Sequence, residues 1–547
     1  MPRIVIDNRQ IEVEPGATIL DAARRLGIAI PTLCHFAGHP PATSCMVCVV
    51  RVNGEERLVP ACATKVADGM LVESETDDVR EARRAALELL LGDHLGDCEA
   101  PCRSACPAHM DIPQMIRHIA AGNLPDAIRT VKQYIALPAV LGRICPAPCE
   151  KACRRGAVDK PVSICLLKRY AADTDSESGR PYLPTCSRRT GRKVAIIGAG
   201  PAGLAAAWHL LQEGHSCTIF DDRSEPGGML RGIDDGRLPA AVLDAAIDAI
   251  MRLGADYRRR SRVGRETTFQ ELRAAFDAVL IAAGQLQKPD AAAFGVEYAE
   301  KGLRVDRHTL QTTTLGVFAA GSAVVPSRLA VRAVADGRAA AVAISQYLAG
   351  AEVTGEPRTF SVHAGKLSPE EMARFAAGMA RELRVQPAGI SGHARHGGLP
   401  GGGAAEVGEA AGFSRDEALR EASRCLHCDC RKKDACTLRD HACEYDARPG
   451  AHKGERRSFT HDASHPAVIY EPGKCISCGI CVRITAAAKE PLGLTFIGRG
   501  FGVRVAVPFG RSLADGLQTT ARECVAACPT GALAFKNGAR APSSGKD

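Results

Sequence analysis

Residues 193–222 read KVAIIGAGPAGLAAAWHLLQEGHSCTIFDD, and this stretch decides the fold at the centre of the chain. The apolar run after Lys193 makes a strand buried on both faces, a glycine-rich turn follows at once, then an Ala/Leu-rich helix, then a second strand ending at Asp221. In such a unit Gly198 allows the tight turn, Gly200 lets the backbone approach a pyrophosphate, and Gly203 brings helix against sheet. Asp221, a little over twenty residues further on, can bond ribose hydroxyls. A lone glycine loop would be weak evidence; here strand, helix and acid stand in register. The alternation continues to about Gly350, which predicts a Rossmann-like, doubly wound domain over 192–350.

Outward from this centre, 547 residues are too many for one core, and several domains are expected. Residues 1–80 alternate apolar and polar in short runs (RIVIDN, CVVRVNG, MLVES) around one helical stretch, ATILDAARRLG, and predict a small α+β domain. Residues 81–175 switch to helical periodicity, with cysteines at both ends. Residues 351–422 read as a linker, mobile at HARHGGLPGGGAAEVGEAAG, and 423–547 form a cysteine-rich region ending in the disordered-looking GARAPSSGKD. The expected class is therefore multidomain α+β and α/β.

Composition narrows the function. The net charge of +8 is small for this length, and one Trp with eight Tyr offers few stacking surfaces, so nucleic-acid binding gains no support. No apolar run reaches the length of a membrane span and the start has no apolar signal core, so the reading is soluble and cytoplasmic. In a reducing compartment, 23 cysteines in tight groups point to metal instead of disulfides.

Cys34, Cys45 and Cys48 come from a loop and Cys62 from a later strand end, a set that suits a [2Fe-2S] rhombus, with zinc or buried thiols as the alternative. RCLHCDCRKKDAC offers Cys425, Cys428, Cys430 and Cys436 for one [4Fe-4S] cluster, or for zinc. KCISCGICVRI supplies Cys475, Cys478 and Cys481, and Cys528 before a proline completes a second [4Fe-4S] set, as in bacterial ferredoxins where the fourth ligand comes from the other motif. The partner of that cluster has been lost: Thr485 stands at one ligand position and Cys524 is left alone. Cys186, Cys217, Cys443 and Cys524 read as structural or free thiols.

The residues carry three resemblances in series. The quartet at 34–62, with its ACAT and DGM flanks, resembles the N-terminal β-grasp ferredoxin domain of the large iron–sulfur subunit of respiratory complex I and of iron-only hydrogenases. HLGDCEAPCRSACPAHMDIP, GRICPAPCEKACRRG and VSICLLKRYAAD resemble the N-terminal domain of the glutamate synthase small subunit and of dihydropyrimidine dehydrogenase, where two [4Fe-4S] clusters lie beside the flavin. That resemblance implies one cluster on His94, Cys98, Cys102 and Cys153 and another on Cys106, Cys145, Cys149 and Cys165. Complex I has a histidine ligand at the place of His94, and Cys165 stands three residues before the family's unusual non-cysteine ligand. The end of the chain is ferredoxin-like.

In the same family, RSEPGGMLRGIDDGRLP resembles the flavin-contacting segment, which implies roles for Gly227, Gly228, Arg237 and Leu238. The motif LGVFAAGSAVVPSRLAVRAVADGRAAAVAI resembles the second flavin motif, with Gly321 and Ser322 at the ribityl chain, where the family normally has aspartate at 322. The family also inserts a complete NAD(P)H-binding domain, on the order of 100 residues, before that motif. Here only about thirty residues separate Gly284 from Gly316, and they hold no second glycine fingerprint.

The resemblances imply FAD, one [2Fe-2S] and about four [4Fe-4S] clusters in an electron-transfer subunit without a catalytic acid, base or nucleophile of its own. Its expected partners are an NAD(P)H/FMN-binding subunit, a formate dehydrogenase or hydrogenase catalytic subunit, and ferredoxin. Clusters on both sides of a flavin would allow electron bifurcation. Two other readings stand beside it: a self-contained NAD(P)H-dependent oxidoreductase of the glutamate synthase small-subunit type, and a flavin-less iron–sulfur scaffold.

Overall fold

The computed structural model describes residues 1–233, 236–357, 359–388, 411–452 and 454–536. Most of the glycine-rich segment and the terminal GARAPSSGKD lie outside the described residues. The chain divides into two units, one of residues 1–100, 359–377 and 428–547, the other of residues 101–358 and 378–427.

In the first unit, period-two alternation in RIVI buries Ile4 and Ile6 and starts a mixed sheet. Its strands are β1 (Arg3–Ile6), β2 (Arg9–Glu12), β3 (Val49–Val52), β4 (Val59–Pro60) and β5 (Leu71–Glu73), in the order β2-β1-β5-β3-β4. β1 pairs parallel with β5 and antiparallel with β2. The helix Ile19–Arg25, fixed at its start by a capping box between Thr18 and Asp21, packs its buried face on this sheet. The division between units falls after Ala100, inside the 81–175 stretch read as one helical domain. A physical reason is visible in Arg83 on the helix Asp77–Gly92. Its fully buried guanidinium donates to Val49 O at 3.0 Å, to Glu75 at 2.7 Å and to the Tyr445 hydroxyl at 2.8 Å. Deleting such a partner strands buried polar groups at a cost of about 3–5 kcal/mol.

The second unit contains strands β6 (Lys193–Ile197), β7 (Ser216–Phe220), β8 (Asp256–Arg258), β9 (Ala278–Ile281) and β10 (Val317–Ala319). They form an all-parallel sheet in the order β10-β9-β6-β7-β8. The helices Pro201–Gln212 and Ala330–Leu348 cross closely because Gly337 has no side chain: a Cβ there would stand 2.1 Å from Ala202 O. Amphipathic helices Ile112–Ala120, Leu124–Lys132 and Ile164–Glu177 pack on the same core. Trp208, 1% exposed, joins the two parts by donating its indole N–H to Lys132 O at 3.1 Å.

Back in the first unit, β11 (Val468–Tyr470) pairs antiparallel with β14 (Leu533–Phe535), and β12 (Thr495–Ile497) with β13 (Arg504–Ala506). The helices Ile480–Ala487 and Ala521–Ala527 lie between them in sequence and pack together. Among the described residues no helix is long and apolar enough to cross a membrane.

Candidate functional site

The glycine loop opens a cavity of about 880 Å³ at the C-terminal ends of the parallel strands. Gly198 takes φ +104°, and a Cβ on it would meet Ala282 O at 2.5 Å, so only glycine makes this turn. Gly200 faces open space, with nothing within 4 Å of the position its Cβ would take. That is the vacancy a pyrophosphate approach needs. Asp221 is buried and accepts from Ala199 N at 2.6 Å and from Arg223 N at 2.9 Å, one amide on each carboxylate oxygen. A carboxylate has about four acceptor sites, so capacity for a ribose hydroxyl remains.

Of the residues expected at the flavin, Gly198, Gly200, Asp221, Gly228, Arg237 and Ser322 line the cavity. Gly203, Gly227, Leu238 and Gly321 shape it from behind: Gly203 packs on Gly198, Gly227 N–H donates to Ala199 O, Leu238 lies in the core, and Gly321 meets Ala202. The sequence reading missed Arg262, Arg265 and Arg328, whose side chains also reach the cavity. The signal was SRVGRE just after β8, at the end of the sheet where ligands bind. A larger cavity of about 1230 Å³ in the same unit has neither cysteines nor the glycine loop, and its charges pair with one another, Lys132 with Asp175 and Arg143 with Asp173, each at 2.7 Å.

Cys145 stands in the wall of the flavin-type cavity. Behind it, Cys106, Cys145, Cys149 and Cys165 gather around one buried lysine, Lys168, whose ammonium is 3.9 Å from Cys165 Sγ. Burial opposes that ammonium, but attraction to the four sulfurs outweighs it and raises its pKa. The Cys165 thiol is lowered by its contact with Cys145, yet its contact with Cys149 and burial prevail and push it up to about 12. Glu150 fixes the start of this helix by accepting Cys165 N at 3.0 Å and Arg384 at 2.8 Å. Lys168, also missed, sits one helical turn after Cys165, an i, i+3 spacing that marks a shared face.

In the first unit, Cys34, Cys45, Cys48 and Cys62 are all buried and stand as two pairs. Cys34 accepts from Cys45, which holds it down at about 5, and Cys48 accepts from Cys62, which holds it at about 7. Two pairs of thiols, one of each pair favoured as thiolate, match the two irons of a rhombus. Arg483 donates to Cys34 O at 2.8 Å and to Cys478 O at 3.3 Å, tying this quartet to the next. There Cys475, Cys478, Cys481 and Cys528 lie together, and burial first, then the neighbouring sulfurs, pushes the Cys475, Cys478 and Cys481 thiols up. Thr485 is 1% exposed and its hydroxyl is used by Val482 O and Leu494 N; Cys524 is buried against Cys481 O.

The remaining expected ligands fall on both sides of the division along the chain. His94 and Cys98 lie in the first unit, whereas Cys102 and Cys153 lie in the second. Cys428, Cys430 and Cys436 lie in the first, whereas Cys425 packs, with Cys102 and Cys153, on the core of the second. Among the described residues no three His, Cys, Asp or Glu side chains converge on a point where a single ion would fit, although a tetrahedral zinc needs its donors about 2.0–2.3 Å from one point.

Three segments match known families. Residues 2–77 match a 2Fe-2S iron-sulfur cluster binding domain. Residues 71–180 match dihydropyrimidine dehydrogenase domain II, 4Fe-4S cluster. Residues 196–263 match an NAD(P)-binding Rossmann-like domain. The chain thus carries iron–sulfur domains of both kinds and a dinucleotide-binding domain, and its relatives are oxidoreductase subunits. It is 42% identical over 207 residues to the NADP(+)-dependent formate dehydrogenase subunit beta of Moorella thermoacetica, covering 34% of this chain and 29% of that protein. It is 41% identical over 211 residues to the NADPH-Fe(3+) oxidoreductase subunit beta of Geobacter sulfurreducens, covering 38% and 30%. With the NAD-dependent dihydropyrimidine dehydrogenase subunit PreT of Escherichia coli it shares 40% over 189 residues, 34% and 46%. The match therefore spans less than half the length of each of these relatives. Among solved structures, an NAD+-reducing [NiFe]-hydrogenase aligns over 98% of this chain and 87% of its own, at 12% identity and a TM-score of 0.35, too loose a likeness to fix an arrangement.

Proposed function

We propose that the chain is a flavin and iron–sulfur electron-transfer subunit that relays electrons between NAD(P)H or ferredoxin chemistry in one partner and a catalytic subunit of formate dehydrogenase or hydrogenase type. The observation that carries this reading is that Cys145 lines the same cavity as Gly198, Gly200 and Asp221. A cluster on Cys106, Cys145, Cys149 and Cys165 would share a wall with an FAD held in that cavity. Bound there, FAD supplies exchange between two-electron and one-electron chemistry. The chain's own groups do the holding: loop amides and the start of the helix Pro201–Gln212 at the pyrophosphate, Asp221 at the ribose, and Arg262, Arg265 and Arg328 as anion partners.

Two features support a dependent subunit over a self-contained reductase. Among the described residues there is one parallel sheet of dinucleotide-binding type, and between Gly284 and Gly316 the only regular element is the short helix Lys288–Ala293. Second, Arg483 donates to Cys34 O and Cys478 O and so holds the two cysteine quartets of the first unit near one another, as a relay requires. That relatives are beta subunits of formate dehydrogenase and of an NADPH-dependent iron reductase supports the choice of partners.

The test is anaerobic. The purified chain, loaded with its cofactors, is assayed for flavin, iron and sulfide, then mixed with NADH or NADPH and separately with a low-potential reductant. The relay reading expects flavin and iron, bleaching by the reductant and none by the nicotinamides. Bleaching by NAD(P)H within seconds replaces it with the self-contained reductase; iron without flavin replaces it with the scaffold.

A further inference from the structure

The segment carrying Cys98 is clamped within the first unit from two sides. Leu95 N–H donates to Gly473 O at 2.6 Å, and Cys98 N–H donates to Val362 O at 3.2 Å. Val362 N–H in turn points at Cys98 Sγ, 3.5 Å away. Onto this segment comes a loop from more than three hundred residues later, with Cys430 N–H donating to Cys98 O at 3.2 Å. Cys98, Cys430 and Cys436 are all more than nine-tenths buried. Three soft sulfur donors held in a buried pocket suit a shared iron–sulfur core.

The surroundings are built around these sulfurs. Cys430 Sγ occupies the space over Gly531, where a Cβ would stand 2.3 Å from it, and Cys436 Sγ lies 3.8 Å from Pro529 O. Lys432 faces Cys430, Cys436 and Cys528, its ammonium tied to Val525 O at 2.7 Å. Lys474, paired with Glu471 at 2.7 Å, faces Cys430. On its other side Lys474 faces His94, four residues before Cys98. The Nδ1 atom of His94 is buried and, among the described residues, has no hydrogen-bond partner. A buried imidazole nitrogen left unsatisfied four residues before Cys98, on a segment that Cys430 also meets, asks for a ligand.

We propose that His94, Cys98, Cys430 and Cys436 hold one [4Fe-4S] cluster, closed by residues from the two ends of the chain. The inference rests on the relay reading for its premise that cubanes are present, and it replaces the contiguous set 425–436. Lys432, in the loop between Cys430 and Cys436, donates its ammonium to Cys528 O and so ties this set to the neighbouring quartet.

The test uses the full chain, loaded anaerobically, and compares Cys98→Ser, Cys430→Ser and the double variant by iron content and by EPR of the reduced protein. Each single variant is expected to lose about four iron and the same EPR signal, and the double variant no more than either. Should Cys98→Ser fail to accumulate, Cys436→Ser takes its place in the comparison. Different signals lost by the singles, or about eight iron lost by the double, overturn the shared site. Nitrogen hyperfine spectroscopy on the unsubstituted protein is expected to show an imidazole coupled to one cluster. His94→Cys is expected to abolish that coupling while keeping the iron. No coupling, or one that survives His94→Cys, removes His94 from the set. A loaded chain with flavin but no [4Fe-4S] signal at all would sink the relay reading itself.

Discussion

The ammonium of Lys168 stands 3.9 Å from the sulfur of Cys165, buried and with the sulfurs of Cys106, Cys145 and Cys149 also facing it. A fixed positive charge favours the reduced, more negative state of a cluster, so it raises the reduction potential. Lys168→Met is expected to lower the midpoint of one [4Fe-4S] signal by at least about 59 mV, a tenfold change for one electron. Iron content should stay unchanged and Lys168→Arg should restore most of the shift. A potentiometric EPR titration that finds all midpoints unmoved would mean that the lysine is only a packing residue.

Gly531 is needed for space, not for backbone freedom. A methyl group there would stand 2.3 Å from Cys430 Sγ, with Lys474 and Lys432 side chains closing the other directions. Gly531→Ala is expected to lose about four iron per chain while flavin and the [2Fe-2S] signal remain. Gly454→Ala serves as the control, since nothing lies within 4 Å of its Cβ position. Equal iron in both variants would show that the Cys430 thiol is not held where a cluster needs it.

Much of this was legible from sequence because it depends on neighbours in the chain. The turn at Gly198–Gly203 and the strand ending at Asp221 are local, and the parallel sheet follows from them. Cys106, Cys145, Cys149 and Cys165 could be grouped from a resemblance, and the structure brings them around Lys168. How the other cysteines group depends on contacts between distant parts of the chain. Cys425 and Cys428 are close in sequence, and the division along the chain falls between them. Cys98 and Cys430 meet through a backbone hydrogen bond that no local pattern encodes. Lys168, Lys432 and Lys474 were passed over because lysine usually reads as solvated surface, whereas here thiols and one carboxylate compensate its burial.

Asp336, on the helix Ala330–Leu348, gives the second flavin motif a pH dependence. Burial lifts its carboxyl to about 6, with Arg332 and the Gly321 backbone only partly offsetting this. The folded value lies above the unfolded one, so the protonated carboxyl favours the folded state. That stability is fully present below about pH 3.9 and lost as pH rises through about 6. Asp336→Asn should therefore gain on the unsubstituted protein between about pH 4 and 6 and hold a level advantage above, on the order of 1–2 kcal/mol. Thermal melts between pH 5 and 8 read this directly. A gap that keeps widening above pH 7 would assign the effect to another group.

Ser322 lines the flavin-type cavity and donates its hydroxyl to Ser327 O at 3.2 Å. A serine here can accept from a ribityl hydroxyl only as a neutral group, whereas the aspartate normal to the resembled family would accept with a full charge. Hydrogen bonds to charged groups contribute about 1.5–3 kcal/mol, so Ser322→Asp is expected to tighten FAD by roughly 10- to 100-fold. The gain depends on the carboxylate finding a donor on the ligand, since the present hydroxyl's bond to Ser327 O is one a carboxylate cannot make. Ser322→Ala, which removes the hydroxyl, should shift affinity by no more than about threefold, less than 1 kcal/mol. Titration of flavin into the stripped protein, followed by fluorescence quenching, distinguishes the cases. Weaker binding by Ser322→Asp would place the ribityl chain elsewhere in the cavity and leave Arg262, Arg265 and Arg328 as the groups that fix the ligand.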